Sequence, residues 1–326
     1  MNRAFKSVSI ALFIFLSLAI ILVSQSRNIS DWYKLSNYKA PASIASLVSQ
    51  DTFTPYATKL FYINHPKILD RSTFSQKCPN NGGETSTILG CYFFIQRGIY
   101  LFQVSDPALN GVEQVTAAHE MLHGAWDRLS ESKKAEIGAQ LLDYYNNHLD
   151  NQTIKDQISI YKKTEPNALV NEMHSVFGTE IGKLPSSLET YYSQYFTDRQ
   201  KIVGFWDSYQ QVFINYKDQI TTQDNQLKSL ESQIVYNLAD LKTQEATIAE
   251  QRSSLNNLMN SNQVSQYYSM LPRFNAQVVQ YNSLVSSTND MISQYHSQEK
   301  VRNDVATGFN NFNNELNSNL TTLKTQ

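Results

Sequence analysis

At 326 residues, with 41% hydrophobic and 17% charged side chains, the chain has apolar material for a sizeable core and length for two domains. Its 27 lysines and arginines stand against 29 aspartates and glutamates, a net charge of −2. There is no basic excess to draw it to nucleic acid, and no basic stripe appears further along.

The chain opens Met1-Asn2-Arg3-Ala4-Phe5-Lys6 and then runs uncharged and apolar from Ser7 to Ser24. Two positive charges ahead of the run predict an N-terminus left in the cytoplasm and a translocated bulk. The run is at the short limit for crossing a bilayer and long for a signal-peptide core. Val23-Ser24-Gln25-Ser26 makes a poor cleavage pattern, so residues 1–26 read as a signal anchor, with a cleaved signal peptide and a secreted chain as the alternative. Both place the rest outside the cytoplasm, with the anchor as a single-pass membrane contact. In an exported chain the two cysteines, Cys78 and Cys91, which flank the turn-rich Pro79-Asn80-Asn81-Gly82-Gly83-Glu84, predict one disulfide. In the chain-entropy model such a loop is worth about 3 kcal/mol.

Residues 27–198 read as a first domain. The expected order is a tether over 25–40, a helix over 43–50, and a strand Lys59-Leu60-Phe61-Tyr62-Ile63 ended by Asn64-His65-Pro66. Cys91–Ile95 and Ile99–Val104, joined through Gln96-Arg97-Gly98, predict a β-hairpin. Asp106-Pro107 and Asn110-Gly111 break the pattern, and a helix follows over about 112–129. It carries His119-Glu120-Met121-Leu122-His123. Four residues apart on a helix, His119 and His123 lie on one face and can share one metal ion, with Glu120 beside them to act on water. A further helix is expected over 130–149. Another is expected to begin near Thr164-Glu165-Pro166, with Thr164 as N-cap, and to carry Leu169 through Glu180. On it Leu169, Glu172, Met173 and Val176 share a face, so Glu172 sits in an apolar stripe where an unpaired carboxylate is costly. His174 falls about 200° around from Glu172, so both cannot ligate on a regular helix, and Glu180 lies two turns on.

With strands ahead of a metal-bearing HExxH helix, the chain resembles the zincin metallopeptidases. Trp126 and Leu129 stand where the metzincin branch has Gly and His, which excludes that branch, and Asp127 is too close in sequence to His123 to complete a coordination sphere. Asn171-Glu172 followed by Phe177-Gly178-Thr179 looks like the third-ligand helix of thermolysin-like enzymes, a gluzincin arrangement. It is one residue shorter, with Val176 where that family has an acidic residue. The resemblance implies an α+β zincin-like domain of a small sheet and metal-bearing helices. It implies Zn²⁺ held by His119, His123 and Glu172, and hydrolysis of peptide bonds by a metal-activated water with Glu120 as general base. Tyr161, Tyr191 or Tyr192 is expected to supply the oxyanion donor, and the strand before the helix to pair with an extended peptide. A cell-wall amide substrate, or a non-enzymatic envelope, adhesion or scaffold protein with a vestigial zincin domain, stays open as an alternative.

Over 199–326 the chain changes character. Trp206, Phe213, Ile220, Leu227, Ile234, Leu241, Ile248 and Leu255 recur at a strict seven-residue step. Tyr209, Tyr216, Leu230 and Leu258 supply part of a second seam that Gln223, Asn237, Gln244 and Gln251 interrupt. A reversal within 259–272 and a second helix beyond it predict an antiparallel coiled-coil hairpin. A parallel homodimer through the long helix is the competing arrangement.

Overall fold

A computed structural model describes residues 25–79, 88–93 and 98–318. All but the end of the expected signal anchor lies outside them. Among the described residues, no helix is long and apolar enough to cross a membrane. The fold is mostly helical, with one small sheet. It divides into two compact units, the first reaching Val212 and resuming at Asn313, the second spanning Phe213–Phe312.

The first unit begins with a helix where a tether was expected, α1 over residues 25–36. It is fixed by Asp31, 2% exposed, whose two carboxylate oxygens each accept a hydrogen bond of 2.8 Å from Arg128. Helix α2 (Ala42–Gln50) follows as expected. The anticipated strand over 59–63 is instead the end of α3 (Pro55–Tyr62). Thr54 Oγ1 caps it by accepting from the Ala57 N–H at 3.2 Å, and Pro55 occupies the first turn. Ala57, Leu60 and Phe61 are all buried at helical spacing, so the start signal and the tertiary core together override the strand preference of Leu-Phe-Tyr-Ile.

Strand β1 (Lys67–Leu69) comes next, then α4 (Arg71–Lys77) capped by Asp70. β2 (Gly90–Phe93) and β3 (Gly98–Phe102) pair antiparallel as expected, with Cys91 opposite Tyr100, while Phe94 to Arg97 of the expected hairpin lie outside the described residues. β1 joins β3 in parallel, giving the order β1-β3-β2 with β2 at the edge. The disulfide Cys78–Cys91 ties the end of α4 to this edge strand.

Helix α5 (Val112–Trp126) carries the HExxH sequence, and α6 (Glu131–Asn147) follows from its Ser130 cap. Thr164 does not open the helix that carries Glu172. It closes α7 (Gln152–Thr164), whose N-cap is Asn151, and its hydroxyl turns back to the Ile160 carbonyl at 3.1 Å. Pro166 disfavours helical geometry at Glu165 and stops α7, and α8 (Leu169–Glu180) starts afresh. α9 (Ser186–Tyr192) is short, and α10 (Arg199–Asn260) is long.

The core of this unit packs α5 and α8 together around Met121, Leu122, Met173, Val176 and Phe177, all buried. Gly178 permits the close approach, since a Cβ there would stand 2.5 Å from Leu122 Cδ1 and 2.8 Å from Tyr192 Cε1. The opening turns of α10 belong to the same core through Ile202 and Trp206, so the first unit runs past the expected boundary at residue 198. Its C-terminal return is held by Arg71, which donates to the carbonyls of Asn314 at 2.9 Å and Glu315 at 3.1 Å.

The second unit contains the remainder of α10 and most of α11 (Val264–Leu316), which run antiparallel as a hairpin. Phe213 packs on Phe309 and Phe312, Asp224 accepts from Arg302 at 2.8 Å, and Asn237 donates to Thr288 at 3.2 Å. The heptad series and its second seam are the shielded positions along α10, Gln223, Asn237, Gln244 and Gln251 included. The reversal falls within 259–272, between Asn260 and Val264.

Candidate metal centre

Two helices build the site. α5 presents His119 and His123 from consecutive turns, and α8 brings Glu172 from its first turn to meet them. Glu172 Oε2 lies 3.5 Å from His119 Nε2, and Glu172 Oε1 lies 3.5 Å from His123 Nε2. The three ligand atoms fall within 4.8 Å of one another. All three side chains are largely sequestered, with exposures of 13%, 10% and 9% for His119, His123 and Glu172. Two imidazole nitrogens and one carboxylate oxygen match in number and kind the donors that zinc takes in an open, hydrolytic site. A buried carboxylate against two imidazoles is also a group that a cation would stabilise, so the residues fit the ion.

The alternatives weighed from sequence are elsewhere. His174 is fully buried, its Nε2 2.9 Å from the Tyr191 hydroxyl and its ring 5.0 Å from Trp126. Burial, and then the charges of His123 and His119, hold it well below the usual imidazole range. Asp127 is the C-cap of α5 and is not among the converging groups. Glu180 lines the same cleft without joining the ligand set.

Glu120 points into a cleft of about 460 Å³ that it shares with the three ligands, β2 and Tyr161. It is 5% exposed. Burial pushes its carboxyl up to about 8, with His123 opposing and Glu172 adding to the rise. Gly90 is what lets it sit there. A Cβ at that position would meet Glu120 Oε1 and Thr116 Cγ2, each at 2.6 Å. Nothing in the local sequence beyond a glycine at a strand's start marks that role.

Of the three tyrosines considered as oxyanion donors, only Tyr161 lines the cleft. Burial, then the charges of Glu172 and Glu180, holds its phenol well above the ordinary value, so it stays protonated and able to donate. Tyr191 and Tyr192 instead enclose His174, Tyr192 donating to the His174 carbonyl at 2.7 Å. Val176 is buried in the core and faces no histidine as an acidic partner would, and Ser175 Oγ, one residue earlier, is 3.4 Å from His123 Nδ1. Ser175 and Gln157 are functional-site neighbours that sequence reasoning did not reach, since both depend on helix packing across dozens of residues. No protein-family model matches the chain, and no curated protein or solved structure is detectably similar to it.

Proposed function

We propose that this chain is a zinc-dependent metallopeptidase of zincin type, gluzincin-like in its third ligand and acting outside the cytoplasm. The observation that carries the reading is the convergence of His119, His123 and Glu172 within 4.8 Å, in one cleft with Glu120. A site meant only to hold a structural ion has no need of a buried carboxylate beside the ligands, and it would close its fourth position. Zinc at such a site supplies Lewis acidity, polarising a carbonyl and making water more acidic.

The chain's own groups supply the rest. Glu120 takes a proton from water at a carboxylate oxygen and delivers it to the nitrogen of the departing amine. The Tyr161 hydroxyl, kept protonated, donates a hydrogen bond to the oxygen on which negative charge develops. The strand directly before α5, β3, is central in the sheet and has no free edge, so it is β2, the edge strand lining the cleft, that offers main-chain groups to an extended peptide. Ser175 orients His123 from behind. The cleft's disulfide-tied edge at Cys91 suits an oxidising, extracytoplasmic setting.

The test is metal content and peptide hydrolysis of the full chain. Glu120→Gln is expected to keep one zinc per chain and to lose hydrolysis. Glu172→Ala is expected to lose the zinc, and His174→Ala to retain it. Undiminished hydrolysis in Glu120→Gln, or zinc lost with His174→Ala but kept with Glu172→Ala, would sink the assignment.

A further inference from the structure

Glu180, at the end of α8, is a buried carboxylate that the hydrolytic chemistry leaves unused. It is 6% exposed and lines the same cleft as the metal ligands. Its Oε1 accepts from the Gln157 amide at 3.3 Å, and the Trp206 side chain also hydrogen-bonds to it. Both partners are neutral. Among the described residues no lysine or arginine pairs with Glu180, and none lines the cleft. His119 attracts its charge and Glu172 repels it, so it lies within electrostatic range of the ligands. The phenols of Tyr161 and Tyr209, which line the same cleft, both feel that charge too.

A carboxylate taken out of water without a counter-cation is costly, and two neutral donors offset only part of that cost. Glu172 has its imidazoles and a metal to meet. Glu120 has a proton to move. Glu180 has neither, yet it lines the cleft that a bound substrate would enter, which Tyr161 and Tyr209 also line with rings of the kind that favour cations. A positively charged group entering the cleft would gain this carboxylate in a largely water-excluded setting, where charge pairing is strongest.

We infer that Glu180, with the Tyr161 and Tyr209 rings of the same cleft, is a specificity subsite for a cationic nitrogen of the substrate. The nitrogen is either a lysine or arginine side chain or a free α-amine. This rests on the metallopeptidase reading and names its substrate class.

The experiment uses the full, zinc-loaded chain carrying Glu120→Gln, so that binding is read without turnover. Four fluorescent peptides differ only in lysine against norleucine and in a free against an acetylated N-terminus. The two peptides that carry the nitrogen the subsite takes are expected to bind on the order of tenfold or more tightly than the doubly neutral one, and Glu180→Gln to bring them to its level. The replacement that loses the affinity, norleucine or acetyl, identifies which nitrogen the subsite takes. Equal binding of all four by the chain with Glu180 intact overturns the subsite and needs no variant that might misfold. Discrimination that survives Glu180→Gln, with zinc content unchanged, overturns it as well. Hydrolysis by the wild-type chain separates the two proposals. Cleavage of all four peptides at one rate removes the subsite alone, whereas cleavage of none by the zinc-loaded chain removes the metallopeptidase reading and the subsite with it.

Discussion

Gly90→Ala tests whether the edge strand sets the position of the proposed base. The added methyl would lie 2.6 Å from Glu120 Oε1, 2.6 Å from Thr116 Cγ2 and 2.8 Å from Glu120 Cγ. Ordinary contact begins near 3.4 Å, so something must give by about 0.8 Å. Thr116 cannot turn away cheaply, because its hydroxyl is bonded to the Val112 carbonyl at 2.8 Å and its branched Cβ is stiff on a helix. Glu120 is the softer party, yet it too is buried. A displacement of this size in a catalytic group costs on the order of a hundredfold in rate, with an overpacking cost of about 1–3 kcal/mol in stability. The measurement is kcat for a peptide substrate alongside zinc stoichiometry and thermal unfolding of the full chain. Zinc is expected to stay at the wild-type level, because the atoms nearest the added methyl belong to Glu120 and Thr116 and not to the three ligands. A kcat within twofold of wild type, with zinc bound, would refute the claim that this glycine positions Glu120.

Two further changes probe what holds the site's supporting helices. Arg199→Met removes a buried guanidinium that donates to the Phe177 and Ile181 carbonyls at the end of α8 and pairs with Glu189, and a loss of about 3–5 kcal/mol is expected in denaturant unfolding. A loss below 1 kcal/mol would mean that this contact does not fasten α10 to α8. Replacing both Cys78 and Cys91 by serine opens a loop with a sequence separation of 13 and is expected to lower stability by about 3 kcal/mol. An unchanged unfolding midpoint would show that the bond is dispensable for the fold.

The parts legible in the sequence are those with their own periodicity. The seven-residue step of α10 announces a hairpin seam, the four-residue spacing of His119 and His123 announces a shared face, and the apolar stripe around Glu172 turns that carboxylate inward. Each signal is local, so one helix is enough to read it. What was not legible arises where short-range and long-range forces compete or where contact crosses the chain. Leu60-Phe61-Tyr62-Ile63 has strand-like composition, but the Thr54-Pro55 start places it on a helix whose buried positions are Ala57, Leu60 and Phe61. α7 sets Ile154, Ile158, Ile160 and Tyr161 among charged and polar residues, and its delivery of Gln157, Ile160 and Tyr161 to the cleft depends on where it packs rather than on a local motif. The pairing of Ser175 with His123, and of Gly90 with Glu120, follows only from how α5 meets α8 and β2.

Four glutamates line the cleft, and the three buried ones, Glu120, Glu172 and Glu180, meet different surroundings. Burial works to raise all three. At Glu172, His123 and His119 overturn that effect and hold the carboxylate below its ordinary value, which keeps it ionised as a metal ligand must be. At Glu120 burial prevails and the carboxyl rises to about 8, the direction suited to a group that must both accept and return a proton near neutrality. A divalent cation among the three ligands would draw it back down by direct attraction, so the metal and the base are coupled through space as well as through the reaction. At Glu180 burial again prevails, to about 7, with His119 and then the neutral donors Gln157 and Trp206 resisting. That group is balanced near neutrality between charged and uncharged forms, and an approaching ammonium or guanidinium would tip it toward the carboxylate. Under the proposed function, identical side chains would divide into ligand, proton carrier and substrate anchor according to their neighbours.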